Sequence, residues 1–117
     1  GLSVNGLTGQ VLTLTNNTGT LASTGALEVT ADAIDNTGSI LGQSGSLTFN
    51  ALTNSGDIYG SSLTLGGASL INTGGEIGSS GAIDIAASML DNRSGLITSG
   101  AGGLTVAGAV LLPGATS

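Results

Sequence analysis

The sequence is poor in the residue types on which most enzyme chemistry depends. Its 117 residues contain no cysteine, no histidine and no lysine, and Arg93 is the single basic residue. The chain therefore has no disulfide framework and no zinc site of the usual ligands. It also lacks a Schiff-base amine and any Ser-His or Cys-His nucleophile. These absences leave carboxylates as the only candidate catalytic groups.

Charge is equally scarce. Charged residues make up 7% of the chain, and seven carboxylates against one cation give a net charge of −6. A nucleic-acid partner would need a basic patch, which one arginine does not provide. Anionic membrane surfaces are disfavoured for the same reason. Because the longest apolar run, residues 109–112, is far too short to span a bilayer, we expect no membrane insertion either.

Bulky rings and proline are almost absent. The aromatic residues are Phe49 and Tyr59, the only proline is Pro113, and hydrophobic residues as a whole make up 39% of the chain. This composition is too apolar for a disordered segment, so we expect the chain to fold. The core must consist of thin layers of Leu, Ile, Val and Ala. With so little proline, hydrogen-bonded ladders can run uninterrupted.

What the sequence does contain is a recurring motif, Asn-Thr/Ser-Gly followed by any residue and then Ile or Leu. Its glycines recur at successive steps of nineteen, eighteen, nineteen and twenty. A constant period near twenty indicates stacked units that share one continuous core. We therefore interpret residues 1–117 as a single repeat array with its core at 12–106. Residues 107–117 lose the pattern and are interpreted as a cap or linker.

Within each unit, apolar and polar residues alternate with a period of two. In the unit 27–46, Leu27 and Val29 fall on one side and Glu28 and Thr30 on the other, which is strand and not helix periodicity. Three such short strands are not stable alone, but coils stacked about 4.8 Å apart would pair every strand in parallel. The sequence therefore predicts an all-β fold, a parallel β-helix of about five to six coils with three short strands per coil.

A second motif, an apolar-x-apolar triplet, suggests how the units align. It equates the triplets that begin at Leu12, Leu27, Leu47, Leu63, Ile83 and Leu104, so that unit length varies between fifteen and twenty-one. We expect this variation at one corner, after the Gly-x-Ile strand.

Two sets of residues receive structural roles. Asparagine tolerates the left-handed backbone of turns, and stacked asparagine amides can hydrogen-bond to one another as a ladder. Glycine supplies the positive φ that tight corners need. The predicted ladder residues are Asn17, Asn36, Asn54, Asn72 and Asn92. The predicted turn glycines are Gly19, Gly38, Gly56, Gly75 and Gly95.

The pattern Leu-x-Asn-x-Gly-x-Ile followed by Gly-x-Leu-x-Ile/Val, which runs through residues 12–106, resembles the filamentous haemagglutinin repeats of two-partner secretion exoproteins of Gram-negative bacteria. The resemblance implies a right-handed parallel β-helix within a long rod on the cell surface. In adhesins and contact-dependent growth inhibition proteins, such a rod holds a receptor-binding region or a toxin away from the cell. The family's repeat contains no catalytic residues and no cofactor. The resemblance thus implies a secreted, non-enzymatic spacer whose partners are other segments of the same exoprotein.

Two other functions stay open. An outward column of Thr13, Thr48, Thr64 and Thr105, with neighbouring Ser and Asn side chains, would bind a glycan or receptor on a host or target cell. Alternatively, Asp57 and Glu76 occupy equivalent positions of successive units. Their expected separation of about 5 Å is also that of a retaining glycosidase pair, so a glycan hydrolase is the third hypothesis.

Three smaller expectations complete the prediction. Arg93 is expected to pair, at an exposed turn, either with Asp91 or with an acidic residue on an adjacent strand. Two glycosylation sequons begin at Asn16 and Asn92. Because a stacked array leaves unpaired strand edges at both ends, we also predict end-to-end self-association unless residues 1–11 and 107–117 cover those edges.

Overall fold

A computed structural model describes the backbone of residues 2–4, 7–107, 110–112 and 115–116, and the side chains of residues 13–107. The strands are β1 (Leu2–Val4), β2 (Leu7–Asn16), β3 (Thr20–Ser23), β4 (Ala26–Asn36), β5 (Ser39–Leu41), β6 (Ser44–Asn54), β7 (Asp57–Gly60), β8 (Ser62–Ile71), β9 (Glu76–Ser79), β10 (Ile83–Asp91), β11 (Leu96–Thr98), β12 (Leu104–Ala107), β13 (Val110–Leu112) and β14 (Ala115–Thr116). No helix occurs in these ranges, and so none that could cross a membrane.

The strands form two parallel sheets. The short-strand sheet has the order β1-β3-β5-β7-β9-β11-β14, and the long-strand sheet has the order β2-β4-β6-β8-β10-β12, with β13 also pairing with β10. Each strand therefore pairs with its counterpart one coil later, and the coils stack along one axis. Ile40, Ile58 and Ile77 lie directly over one another, as predicted. The predicted parallel β-helix is confirmed.

Two of the three predicted stretches in each coil are joined into one long strand that bends. In β4 the buried side chains run Leu27, Val29, Ala31 and then Ile34, so the alternation slips by one residue. At the slip, Asp32 has no partner in the ladder to β6. The chain thus turns without ending the strand, and each coil comprises one long bent strand and one short strand.

The repeat is more regular than the triplet alignment predicts. Gly45 pairs with both Leu27 and Leu63, so Leu47 lies level with Val29 and not with Leu27. The prediction of short units that begin at Leu12 and Leu47 is therefore wrong. Apolar triplets occur at more than one place along each long strand, so they do not identify equivalent positions. The positions that are equivalent in successive coils are Leu7, Leu27, Gly45, Leu63, Ile83 and Leu104.

Length varies at both corners of the coil, whereas we predicted one. At the first corner, Asn36 is four positions before Ile40, but Asn72 is five positions before Ile77. The second corner, between the short strand and the next long strand, varies as well. Ile58 is five positions before Leu63, whereas Ile77 is six positions before Ile83. The spacing along the long strand is constant, since Leu27 is nine positions before Asn36 and Gly45 is nine positions before Asn54.

The core is a stack of aliphatic layers. The short strands contribute one central side chain per coil, and those from Ile40 to Ile97 are at most 1% exposed. Burying each Leu or Ile stabilises the fold by about 1.5–3 kcal/mol. Phe49 fits this narrow core because its partner on the next coil is Gly67, where a Cβ atom would overlap the ring.

The tail predicted to be a cap or linker continues the pairing where it is described. β13 pairs with β10, and β14 pairs with β11. Positions 108, 109, 113, 114 and 117, including Pro113, lie outside the described residues.

Candidate functional site

A column of asparagine side chains runs along the first corner of the coil. Nδ2 of Asn16 donates to Oδ1 of Asn36, and the same 2.8 Å bond continues to Asn54, Asn72 and Asn92. From Asn36 onwards these side chains are 0% exposed. All four bonds point in the same direction, from the earlier coil to the later one. We call this column the asparagine ladder.

Each ladder amide also holds the backbone. Nδ2 of Asn36 donates to the carbonyl of Gly38 in its own turn, at 3.1 Å, and to that of Asp57 on the next coil, at 3.0 Å. Asn54 repeats this arrangement with the carbonyls of Gly56 and Glu76. Among the described side chains, no buried nitrogen or oxygen lacks a partner. The ladder therefore ties each turn to the coil above it.

The first rung of the ladder is Asn16, and the prediction of Asn17 is wrong. Asn16 pairs with Asn36 in the strand register, whereas Asn17 is exposed and its Oδ1 accepts a hydrogen bond from Oγ1 of Thr37 at 3.0 Å. The error arises because this turn has two residues between the asparagine and Gly19. The predicted motif has one, so counting back from the glycine selects the wrong asparagine.

The turn glycines are required by close packing of the coils, and the predicted role of positive φ is wrong. At Gly38, Gly56, Gly75 and Gly95, a Cβ atom would overlap a backbone carbonyl oxygen of the preceding coil. None of these residues has a positive φ. Gly19, on the first described turn, would place its Cβ 3.2 Å from the Asn16 side chain and meets no such carbonyl.

At this corner, positive φ belongs instead to the extra residue of the longer turns. It occurs at Thr18, Gly74 and Ser94, with φ values of 59°, 73° and 58°. Each of these residues immediately precedes a turn glycine. In the longer turn that begins at Asn72, the N–H of Gly75 donates to the carbonyl of Asn72 at 3.2 Å. The ladder asparagines themselves do not adopt the left-handed conformation.

The two carboxylates predicted to be neighbours do lie side by side. Asp57 and Glu76 are direct partners on β7 and β9, and both are partly exposed. Hydrogen bonding of the Tyr59 hydroxyl to the Glu76 carboxylate, then burial and the charges of Asp57 and Glu76, raise the pKa of Tyr59 to about 12. Its ring lies against Gly78, where a Cβ atom would come within 2.8 Å.

Sequence reasoning missed this role of Tyr59. The available signal was its position two residues after Asp57 in the same strand, which places both side chains on one face of the sheet. No group of three or more potential metal ligands occurs among the described residues. The pair lies on the outer face of a sheet, and the chain's one cation is engaged elsewhere. The arrangement is that of a solvated acidic surface with one tyrosine.

That cation, Arg93, binds Asp91, the first of its two predicted alternatives. Nε donates to Oδ1 at 3.0 Å and Nη2 to Oδ2 at 2.7 Å, and the Arg93 backbone N–H adds a bond of 3.1 Å to Oδ1. The Asp91 side chain is 8% exposed and that of Arg93 is 63% exposed. These hydrogen bonds lower the pKa of Asp91. The ion pair thus braces the turn that begins at Asn92.

The predicted threonine column does not form. Thr13, Thr48 and Thr64 lie in three different columns of the long-strand sheet. Thr64 and Thr105 share a column, but Asp84 lies between them. The predicted column failed because the triplet alignment was displaced by five residues at Leu12 and by two residues at Leu47.

Both glycosylation sequons place their acceptor in the ladder. Asn92 is 0% exposed, and the Nδ2 atom of Asn16 donates to three acceptors. A glycan on Nδ2 of Asn16 would displace these bonds, and one on Nδ2 of Asn92 would need space where the side chain is completely buried. The folded chain is therefore a poor acceptor at both sequons.

Comparison with known protein families gave a match over most of the chain. A family model described as the haemagglutinin repeat matches residues 2–62 and residues 60–111. Together these matches include every rung of the asparagine ladder. No match was found among curated proteins or among solved structures.

Proposed function

Because the chain belongs to the haemagglutinin repeat family, we propose that it is a non-enzymatic spacer within a large secreted exoprotein of the bacterial surface. The observation that supports this most strongly is the uniformity of the coil interfaces. The same asparagine bond, 2.8 Å long, occurs at each of four successive interfaces. A rod needs this property, since each added coil then extends the array without changing its cross-section.

The proposed mechanism is mechanical. Each coil adds about 4.8 Å of length, buries an aliphatic layer and hydrogen-bonds its neighbours through both sheets. The ladder amides link the turns of adjacent coils, so bending the rod at a corner would break buried hydrogen bonds. Such bonds are costly to lose, at about 1–3 kcal/mol for each group left unsatisfied.

The family also supports a finer proposal about location. We propose two-partner secretion to the surface of a Gram-negative cell, in an adhesin or a contact-dependent growth inhibition protein. There the segment would hold a receptor-binding region or a toxin away from the cell. Its partners would be the neighbouring segments of the same exoprotein.

Duplicating two coils tests the spacer function. Residues 27–62 comprise two complete coils of equal length, since Leu27, Gly45 and Leu63 are equivalent. A second copy inserted after residue 62 should lengthen the rod by about 10 Å in small-angle X-ray scattering, with an unchanged cross-section. It should also raise the unfolding temperature, because interfaces are added. The control inserts the same residues in shuffled order, and a duplication that behaves like this control argues against the proposal.

The same protein distinguishes the spacer from direct binding. The purified chain should give no saturable signal on glycan arrays or target cells. A saturable signal that is lost in Tyr59→Ala would favour a glycan- or receptor-binding module instead. Turnover of a glycan that is lost in Asp57→Asn and Glu76→Gln would favour the hydrolase.

A further inference from the structure

The turn between β10 and β11 contains the one bond that a trypsin-class protease could cut. Such proteases bind an arginine or lysine side chain through a carboxylate at the base of their specificity pocket. The 117-residue sequence has no lysine and one arginine, so the candidate is the Arg93–Ser94 peptide bond. Both residues are exposed. Exposed turns of polar residues are the preferred sites of proteolytic cleavage.

The residues on either side of this bond are fixed by the neighbouring coil. Asn92 is completely buried in the ladder, and its carbonyl accepts from the N–H of Gly95 at 3.0 Å. A Cβ atom at Gly95 would overlap the carbonyl oxygen of Asn72 on the preceding coil. Ser94 has a φ of 58°, far from the extended backbone that a protease cleft accepts. The turn must therefore open locally before the bond can be cut.

Opening the turn still leaves the arginine occupied. Nε and Nη2 of Arg93 donate to the two oxygens of the Asp91 carboxylate at 3.0 and 2.7 Å, which is a bidentate contact. Asp91 is the last residue of β10 and pairs with Ile71 on β8, so its carboxylate stays in place when the turn opens. The Arg93 side chain is 63% exposed, yet its guanidinium already binds the kind of group that a protease would offer.

The turn itself does not require this ion pair. The turn 72–75 has the same length as the turn 92–95, has a positive φ at the same place, and is closed by the same backbone hydrogen bond. Its residue equivalent to Asp91 is Ile71, and the turn 16–19 has a threonine there. Because such turns form without an acidic residue, the effect specific to Asp91 is that it binds the guanidinium.

We propose that the Arg93–Ser94 bond is a cleavage site for arginine-specific serine proteases, and that Asp91 protects it by competing for the guanidinium. Cleavage adds one water molecule across the peptide bond and leaves a carboxylate on Arg93 and an α-ammonium group on Ser94. For this to occur, the guanidinium must exchange the Asp91 carboxylate for that of the protease. The site is therefore cut only when the turn opens and the ion pair breaks together.

Trypsin digestion of the folded chain tests the proposal, with mass spectrometry to identify fragments 1–93 and 94–117. Each variant is first shown by circular dichroism to be folded. It is then compared with a peptide of residues 88–98 that carries the same substitution, because residues near the bond affect trypsin directly. The cleavage rate of the peptide divided by that of the folded chain measures the protection of the site. Asp91→Asn should lower this protection roughly fivefold, since it removes the ion pair but keeps the side-chain shape.

Two further variants separate the ion pair from other effects. Asp35→Asn removes the same charge from the same column of the sheet and should leave the protection unchanged. Arg93→Lys keeps Asp91 in place, but an ammonium group does not make the bidentate contact, so the protection should fall. Unchanged protection in Asp91→Asn or in Arg93→Lys would overturn the proposal. So would an equal fall in Asp35→Asn, or a folded chain that is cut as fast as its peptide.

Chymotrypsin distinguishes local opening from global unfolding. It cuts beside large apolar side chains, and core residues such as Leu52 and Leu70 are completely buried, so its attack reports opening of the whole fold. Asp91→Asn should accelerate trypsin more than chymotrypsin. Asn54→Ala, which removes an interior rung of the ladder, should do the reverse. Equal acceleration of the two proteases by either variant would show that the bond is reached only by global unfolding, and would overturn the proposal.

Discussion

Asn54 donates its side-chain amide to Oδ1 of Asn72 across a coil interface at 2.8 Å, and both side chains are completely buried. Because Asn54 also accepts from Asn36 and donates to two backbone carbonyls, one residue joins three coils. A buried amide with all its partners present stabilises the fold, whereas its loss leaves each partner unsatisfied. The ladder therefore makes every interior rung sensitive to substitution.

Replacing an interior rung should destabilise the fold strongly. In Asn54→Ala, the Asn36 amide loses an acceptor and Oδ1 of Asn72 loses its donor. At about 1–3 kcal/mol for each unsatisfied group, we expect a loss on the order of 3 kcal/mol in the free energy of unfolding. Urea denaturation measures this change.

The matched control is Asn50→Ala. Asn50 lies on the same strand as Asn54 but is exposed. Its replacement should change the free energy of unfolding by less than about 0.5 kcal/mol. Equal losses in the two variants would show that the ladder contributes nothing specific.

Glycine substitutions separate close packing from backbone conformation. A Cβ atom at Gly56 would overlap the carbonyl of Gly38, whereas one at Gly66 would have nothing within 4 Å. Neither residue has a positive φ. Overpacking of this kind costs about 1–3 kcal/mol, so Gly56→Ala should lower the unfolding temperature by several degrees.

Gly66→Ala should leave the unfolding temperature unchanged or raise it slightly, because alanine reduces the entropy of the unfolded chain. Thermal unfolding of both variants, followed by circular dichroism, compares them directly. A tolerated Gly56→Ala would mean that neighbouring coils can separate enough to admit a methyl group.

The stacking could be predicted from the sequence because its signal is local and repeated. Ile40 follows Gly38 by two residues, and Ile58 follows Gly56 in the same way, so a constant period leads directly to the observed column. The parallel pairing then follows, since strands this short are stable only when stacked. The fold class could therefore be predicted from the repeat spacing together with the period-two alternation within each unit.

The details that failed depend on contacts between coils. Asn16 and Asn17 are adjacent and chemically identical, and only the position of Asn36 on the next coil determines which of them enters the ladder. Likewise, glycine's preference for positive φ suggested a local reason for Gly38, whereas the actual reason is the carbonyl of the coil below. Tyr59 was missed because its partner, Glu76, lies one coil away.

The ion pair between Asp91 and Arg93 should make the stability of the fold depend on pH. Hydrogen bonds from the Arg93 side chain, and then from its backbone N–H, lower the pKa of Asp91 in the folded chain. The pair therefore contributes fully above the unfolded value of about 3.9, and this contribution is lost as the pH falls through the lower folded value. Asp91→Asn should reduce stability at pH 7 and flatten the acid limb of the stability curve.

Asp35→Asn is the matched control, because Asp35 is an exposed aspartate in the same column, separated from Asp91 by Thr53 and Ile71. Urea unfolding between pH 2 and 7 measures both variants. If Asp35→Asn flattens the acid limb as much as Asp91→Asn does, the effect comes from net charge and not from the ion pair.

The hydroxyl of Tyr59 should titrate well above an ordinary tyrosine, at a pKa of about 12 compared with 10.0. Because the folded value is the higher one, the neutral hydroxyl stabilises the fold fully below about pH 10, and this contribution is lost as the pH rises towards 12. The first cause is the hydrogen bond to Glu76. Glu76→Gln should therefore lower the pKa of Tyr59 more than Asp57→Asn, which removes only a nearby charge.

Since the chain contains no other tyrosine and no tryptophan, its ultraviolet absorbance reports this titration directly. Equal shifts in the two variants would show that charge alone raises the pKa, and would remove the argument for a fixed Tyr59–Glu76 contact.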